Sequence, residues 1–153
     1  AKKNILPELV KDIPTAQIHH LTGGAKRIID YFRRNEEGNE LPEFEQINEG
    51  LQLKLDSLFD KAEKSAQDGE YRVGSPTIPT CNDWFILPFT QPLEDAKNLC
   101  DTFENLTFDE ERAKEIHTYA RINVAAKLTK NLPKIPARVA AIYVPAITKY
   151  LDI

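Results

Sequence analysis

The sequence predicts an all-α fold, a single bundle of five or six helices formed by residues 1–153. Apolar residues recur at steps of three and four along most of the chain, which is the period of a helix with one buried face. The exception is a Pro-rich connection over about residues 71–92, where four prolines exclude a continuous helix. We expect this connection to be irregular, with a short strand at residues 84–87. A chain of 153 residues fits one domain with one hydrophobic core.

The longest predicted helix begins at Pro42 and ends at Asp68-Gly69. Its predicted buried row consists of Phe44, Ile47, Leu51, Leu55, Leu58, Ala62 and Ala66. A second helix follows Pro92 and buries Leu93, Ala96, Leu99, Cys100 and Phe103. These rows predict the centre of the bundle.

The last third of the chain predicts two further helices that pack together. The pattern Thr107-Phe108-Asp109-Glu110 is typical of a capping box, so we expect Thr107 to cap the first of them. Its predicted buried face consists of Ala113, Ile116, Ala120, Val124 and Leu128, widened by Tyr119, Ile122 and Ala125. Pro136 can open the last helix, with a buried face of Val139, Ile142, Tyr143, Ala146, Ile147, Tyr150 and Leu151.

A glycine pair and a lysine precede a helical pattern at residues 22–26, an arrangement that binds phosphate in other proteins. The segment lacks the spacing and the hydroxyl of a phosphate-binding loop. We therefore predict a helix start capped by Thr22, and keep Gly23, Gly24 and Lys26 as a secondary anion site, since helix amino termini attract anions.

The charge is unevenly distributed along a chain whose net charge is −4. Acidic residues dominate residues 36–72, whereas residues 116–151 contain lysine and arginine but no acid. We predict that Lys127, Lys130, Lys134 and Arg138 form a cationic ridge that binds an anion or an acidic partner.

The cysteines, histidines and serines do not indicate catalysis. Cys81 and Cys100 have no histidine at metal-ligand spacing, so we expect no metal and no cofactor. Two free thiols in a reducing, cytoplasmic compartment are favoured, with one disulfide as the alternative. No serine lies in a nucleophile motif, and we expect no catalytic residue.

These observations favour a non-enzymatic assembly, adaptor or structural subunit that acts through contacts with a protein partner or by self-association. The alternative is a nucleic-acid-binding coat or packaging protein that uses the cationic ridge, and an enzyme of unknown type comes third. The absence of a run of about 20 apolar residues indicates a soluble protein not integral to a membrane. Trp84, Phe85 and Phe89 either cover the end of the bundle or form a patch that contacts a partner or touches a membrane.

Overall fold

The described part of the chain is all-α, as predicted. The computed structural model describes residues 2–35, 42–73, 85–86 and 88–151. Within these ranges six helices have ten residues or more, and one has three. The helices are α1 (Lys2–Asp12), α2 (Ile18–His20), α3 (Lys26–Asn35), α4 (Pro42–Asp68), α5 (Thr90–Thr102), α6 (Glu110–Asn131) and α7 (Ala137–Leu151).

The Pro-rich connection contains a short antiparallel ladder. Strand β1 (Arg72–Val73) pairs with β2 (Phe85–Ile86), with Arg72 opposite Ile86 and Val73 opposite Phe85. The predicted strand at residues 84–87 therefore contains an observed one, whereas Trp84 and Leu87 lie outside the described residues.

The chain forms two compact units, each assembled from two stretches of sequence. Unit 1 comprises Ala1–Leu58 and Glu94–Phe108, and unit 2 comprises Phe59–Leu93 and Asp109–Ile153. A single domain over residues 1–153 stays a prediction.

Unit 1 has a core built from one apolar face of each of its longer helices, whereas α2 buries no residue. In α4 the predicted row is buried from Phe44 to Leu58, which confirms the helical period read from the sequence. The Nζ atom of Lys54 on the same helix donates a 3.1 Å hydrogen bond to the carbonyl oxygen of Pro14. The buried side chains of this unit include Leu6, Leu9, Ile13, Leu21, Ala25, Ile29, Phe32, Phe44, Ile47, Leu51, Leu55, Leu58, Ala96, Leu99, Phe103 and Leu106.

Cys100 in α5 is a free, half-buried thiol rather than the core residue that the apolar spacing predicted. Burial, and then the carboxylate of Asp101, raise the pKa of this thiol. A raised pKa keeps the sulfur protonated and poorly nucleophilic near neutral pH. Cys81 lies outside the described residues.

Unit 2 is organised around the pairing of α6 with α7, and hydrogen bonds and ion pairs join α6 to the end of α4. Arg112 on α6 joins this helix to the end of α4. Its Nη2 atom donates to Asp60 at 2.9 Å, and its Nε atom donates to Glu63 at 3.0 Å. Its guanidinium also lies 5.2 Å from the centre of the Phe59 ring. The hydrogen bond to Glu63 is the main cause of the raised pKa of Arg112. The buried side chains of the described part of this unit include Phe59, Ala62, Ala66, Phe89, Leu93, Ala113, Ile116, Ala120, Val124, Ala125, Leu128, Tyr143 and Tyr150.

Helix α4 ends at Asp68, next to Gly69, as the sequence predicted, and two hydrogen bonds close its carboxyl end. The amide of Gly69 donates to the carbonyl of Ala66, and the amide of Glu70 donates to the carbonyl of Ser65. This pair of bonds is the Schellman arrangement, and it requires the left-handed conformation that Gly69 adopts at φ 61°. Here glycine is required by backbone geometry.

The amino end of α6 is capped by a residue other than the one predicted. Asp109 is the N-cap residue, and its Oδ1 accepts a 3.1 Å hydrogen bond from the amide of Arg112. The prediction that Thr107 caps this helix is therefore wrong. The helix begins at Glu110, which places Thr107 two residues before the cap.

Candidate functional site

The four residues of the predicted cationic ridge lie where α6 turns into α7. Lys127 and Lys130 occupy the last two turns of α6, and Lys134 ends the 3-10 turn Leu132–Lys134. Arg138 is the second residue of α7. All four side chains are exposed, and none forms an ion pair with another described residue. The structure thus leaves these four cations available to a partner.

Helix α7 presents two different apolar rows. The first row packs in the core through Tyr143 and Tyr150. The second row repeats at steps of three and four and consists of Ala137, Ala140, Val144, Ile147 and Leu151. Consecutive residues diverge by about 100° around a helix, so Val144 faces away from buried Tyr143. The prediction that Leu151 lies on the buried face is wrong, because this side chain is 56% exposed. Val144, which that predicted face did not include, is 50% exposed.

Helix α6 also leaves apolar side chains uncovered. The predicted row from Ala113 to Leu128 is buried, and so is Ala125. The predicted widening by Tyr119 and Ile122 is wrong, since these side chains are 61% and 46% exposed. They belong to an exposed row of five residues along this helix, Glu115, Tyr119, Ile122, Ala126 and Lys130.

A pocket of about 270 Å³ opens beside Tyr119. Its lining consists of Glu63, Ala66, Gln67, Glu115, Ile116 and Tyr119. The carboxylate of Glu63 accepts a hydrogen bond from Arg112, whereas Glu115 is exposed and has no ion pair in the described ranges. A carboxylate beside an exposed aromatic ring suits a cationic side chain.

The glycine pair is not a helix start. Gly23 and Gly24 lie in a π-helical turn, Leu21–Ala25, that continues directly from α2 into α3. The hydroxyl of Thr22 donates to the carbonyl of Ile18 at 3.0 Å, so it does not cap a helix. The Nζ atom of Lys26 binds Asp30 at 2.9 Å and lies 5.5 Å from the centre of the Phe103 ring. The predicted anion site therefore lacks both a helix amino terminus and an uncommitted cation.

The aromatic partner-contact candidates are placed only in part. Phe89 is 1% exposed, and its ring meets that of His117 edge-on, with 4.8 Å between ring centres. It therefore packs the core of unit 2 and is not accessible to a partner. Phe85 contributes its backbone to β2, and Trp84 lies outside the described residues.

The described residues contain no group of three or more side chains that could hold a metal ion. His117 is half-buried, and its pKa is lowered by burial and then by Arg121. His19 and His20 are exposed on α2.

Sequence reasoning missed the pocket beside Tyr119 and the second row of α7. The spacing of that row was readable in the sequence, because Ala137, Val144 and Leu151 repeat every seven residues. The predicted buried face included Ile147 and Leu151 of this row but not Ala137, Ala140 or Val144.

Comparison of the chain with known proteins does not identify a function for these surfaces. Within the described ranges, every helix is too short or too polar to cross a bilayer. No model of a protein family matches the chain, and no curated protein or solved structure matches it either.

Proposed function

We propose that the protein is a non-enzymatic assembly subunit that acts through protein–protein contacts. The observation that carries this proposal is the half-exposed second row of α7. Small domains rarely leave a helical row of apolar side chains in water, and such rows mark contact sites. Covering each Å² of apolar surface contributes about 25 cal/mol to association.

The row also suits contact with a second copy of itself. In an antiparallel pair centred on Val144, Ala137 faces Leu151, so a small residue meets a large one. The two charged residues of α7, Arg138 and Lys149, lie off the row and do not oppose such a pair. Self-association is therefore the simplest form of the proposed assembly.

Sedimentation velocity of the full chain tests this proposal. We expect the wild type to form species larger than a monomer, and the paired change Val144→Ser and Leu151→Ser to lower their mass. Leu53→Ser, at an exposed apolar position of α4, is the matched control. An unchanged mass distribution in the paired variant would contradict the proposal, as would a wild type that stays monomeric throughout.

A second candidate is nucleic-acid binding through the cationic ridge. Its support is the exposure of Lys127, Lys130, Lys134 and Arg138 without ion pairs among the described residues. If all four contact phosphates, the slope of log affinity against log salt should be about −3.6 on duplex DNA. Changing all four to Gln should abolish that slope in fluorescence anisotropy, and a slope that survives would exclude the ridge.

A further inference from the structure

We propose that two copies of the chain pair through their α6 helices, which lie side by side and antiparallel. This inference rests on the proposed assembly function. The contact is the exposed row of five residues on this helix, which we call the α6 row: Glu115, Tyr119, Ile122, Ala126 and Lys130. All five side chains are exposed, and they recur at steps of three and four along one face. The occupant of this face is the same face of a second copy.

Charge complementarity selects the second copy and the direction of pairing. The α6 row begins with an acid, Glu115, and ends with a base, Lys130. When two such helices run antiparallel, each Glu115 faces the Lys130 of the other copy. When they run parallel, like charges face each other at both ends, which disfavours pairing.

The two charges cannot satisfy each other within one copy. They stand fifteen residues apart on a continuous helix, which separates them by roughly 22 Å at 1.5 Å per residue. A lysine side chain is much shorter than this distance. Their complementarity can therefore be used only between molecules.

The middle of the α6 row provides apolar contact that fits the same arrangement. In the register that pairs Glu115 with Lys130, the exposed ring of Tyr119 faces the small side chain of Ala126. Ile122 then lies next to the two-fold axis. The aliphatic part of Lys130 can cover the wall of the pocket beside Tyr119 while its ammonium group reaches Glu115.

A charge exchange on the full chain tests this pairing by sedimentation equilibrium. Glu115→Lys alone and Lys130→Glu alone should each weaken the pairing about tenfold or more, because like charges then face each other. Both changes in one chain should restore it, and so should mixing the two single variants. Lys127→Glu, an exposed charge reversal outside the α6 row, is the matched control.

A second measurement reports proximity directly. In a chain with Cys81→Ser and Cys100→Ser, Ile122→Cys should form a disulfide-linked dimer under mild oxidation, because the two positions adjoin the axis. Leu53→Cys, an exposed apolar position on α4, should not.

The outcomes separate this inference from the assembly function. The inference is overturned if neither the double variant nor the mixture of single variants restores pairing. It is also overturned if Lys127→Glu weakens pairing as much as Glu115→Lys or Lys130→Glu does. If the α7 variant still lowers the mass in that case, the assembly function stands without the α6 pairing. A wild type that stays monomeric overturns both.

Discussion

The side-chain amide of Asn123 donates a 2.8 Å hydrogen bond to the carbonyl oxygen of Ala66. The same oxygen accepts the amide of Gly69, so α6 and the closing turn of α4 share one acceptor. The approach is close, because a Cβ atom at Gly69 would lie 3.0 Å from the backbone oxygen of Asn123. Gly69 is therefore constrained by its left-handed conformation and by a neighbouring helix at once.

Gly69→Ala should lower the free energy of unfolding by about 1–3 kcal/mol, since a side chain here is both strained and crowded. Gly23→Ala is the matched control, because a Cβ atom there would meet nothing within 4 Å. In a helical position, alanine should be neutral or stabilising by up to about 1 kcal/mol. Urea denaturation of both variants gives the comparison, and equal effects would contradict the account of Gly69.

Leu55→Ala should destabilise the protein by about 2–5 kcal/mol through the cavity it leaves. Leu53→Ala lies two residues away on the same helix, where the side chain is 69% exposed against 2% for Leu55. The exposed change should cost under about 0.5 kcal/mol. Thermal melting of the pair tests which face of α4 is buried, and wild-type-like melting of Leu55→Ala would refute the assignment.

Asp109→Ala should cost about 1 kcal/mol because it removes the acceptor for the amide of Arg112. Thr107→Ala should have almost no effect, since Thr107 precedes the cap. Chemical denaturation of the two variants decides between the observed cap and the one that the sequence favoured. A larger loss at Thr107 would reverse that assignment.

Acid should destabilise the protein partly through His117. Burial lowers the pKa of this residue below its ordinary value of 6.5, so the unfolded chain binds the proton more readily than the folded one. The contribution to stability is complete above pH 6.5 and is lost as the pH falls through that value towards the folded pKa. In urea titrations at several pH values, His117→Gln should flatten this dependence, and an unchanged dependence in the variant would contradict this account.

Periodicity predicted the helices and their central rows, but it did not predict the width of the buried faces. Tyr119 and Ile122 flank the buried row of α6, and their apolar character alone favoured burial. Whether a flanking residue is covered depends on how far neighbouring helices reach around it. That is a property of packing, which the spacing of residues in one helix does not contain.

Local rules failed where two residues offered the same chemistry. Thr107 and Asp109 can both cap a helix, and only the backbone decides which of them occupies the cap position.

The prediction that a helix starts at Thr22 failed because it treated the glycine pair as a helix boundary. In the structure Gly23 and Gly24 lie within a continuous helical path, in the turn Leu21–Ala25. The pocket beside Tyr119 joins residues some fifty positions apart, so no local pattern could predict it.

The bond between Asn123 and Ala66 also bears on the order in which unit 2 folds. It joins residues 57 positions apart, whereas a 3-10 turn of three residues and a short link connect α6 to α7. Closing a long loop costs more chain entropy than closing a short one, and local contacts form faster. We therefore expect the α6–α7 hairpin to form early in folding and to offer a surface on which the end of α4 docks afterwards.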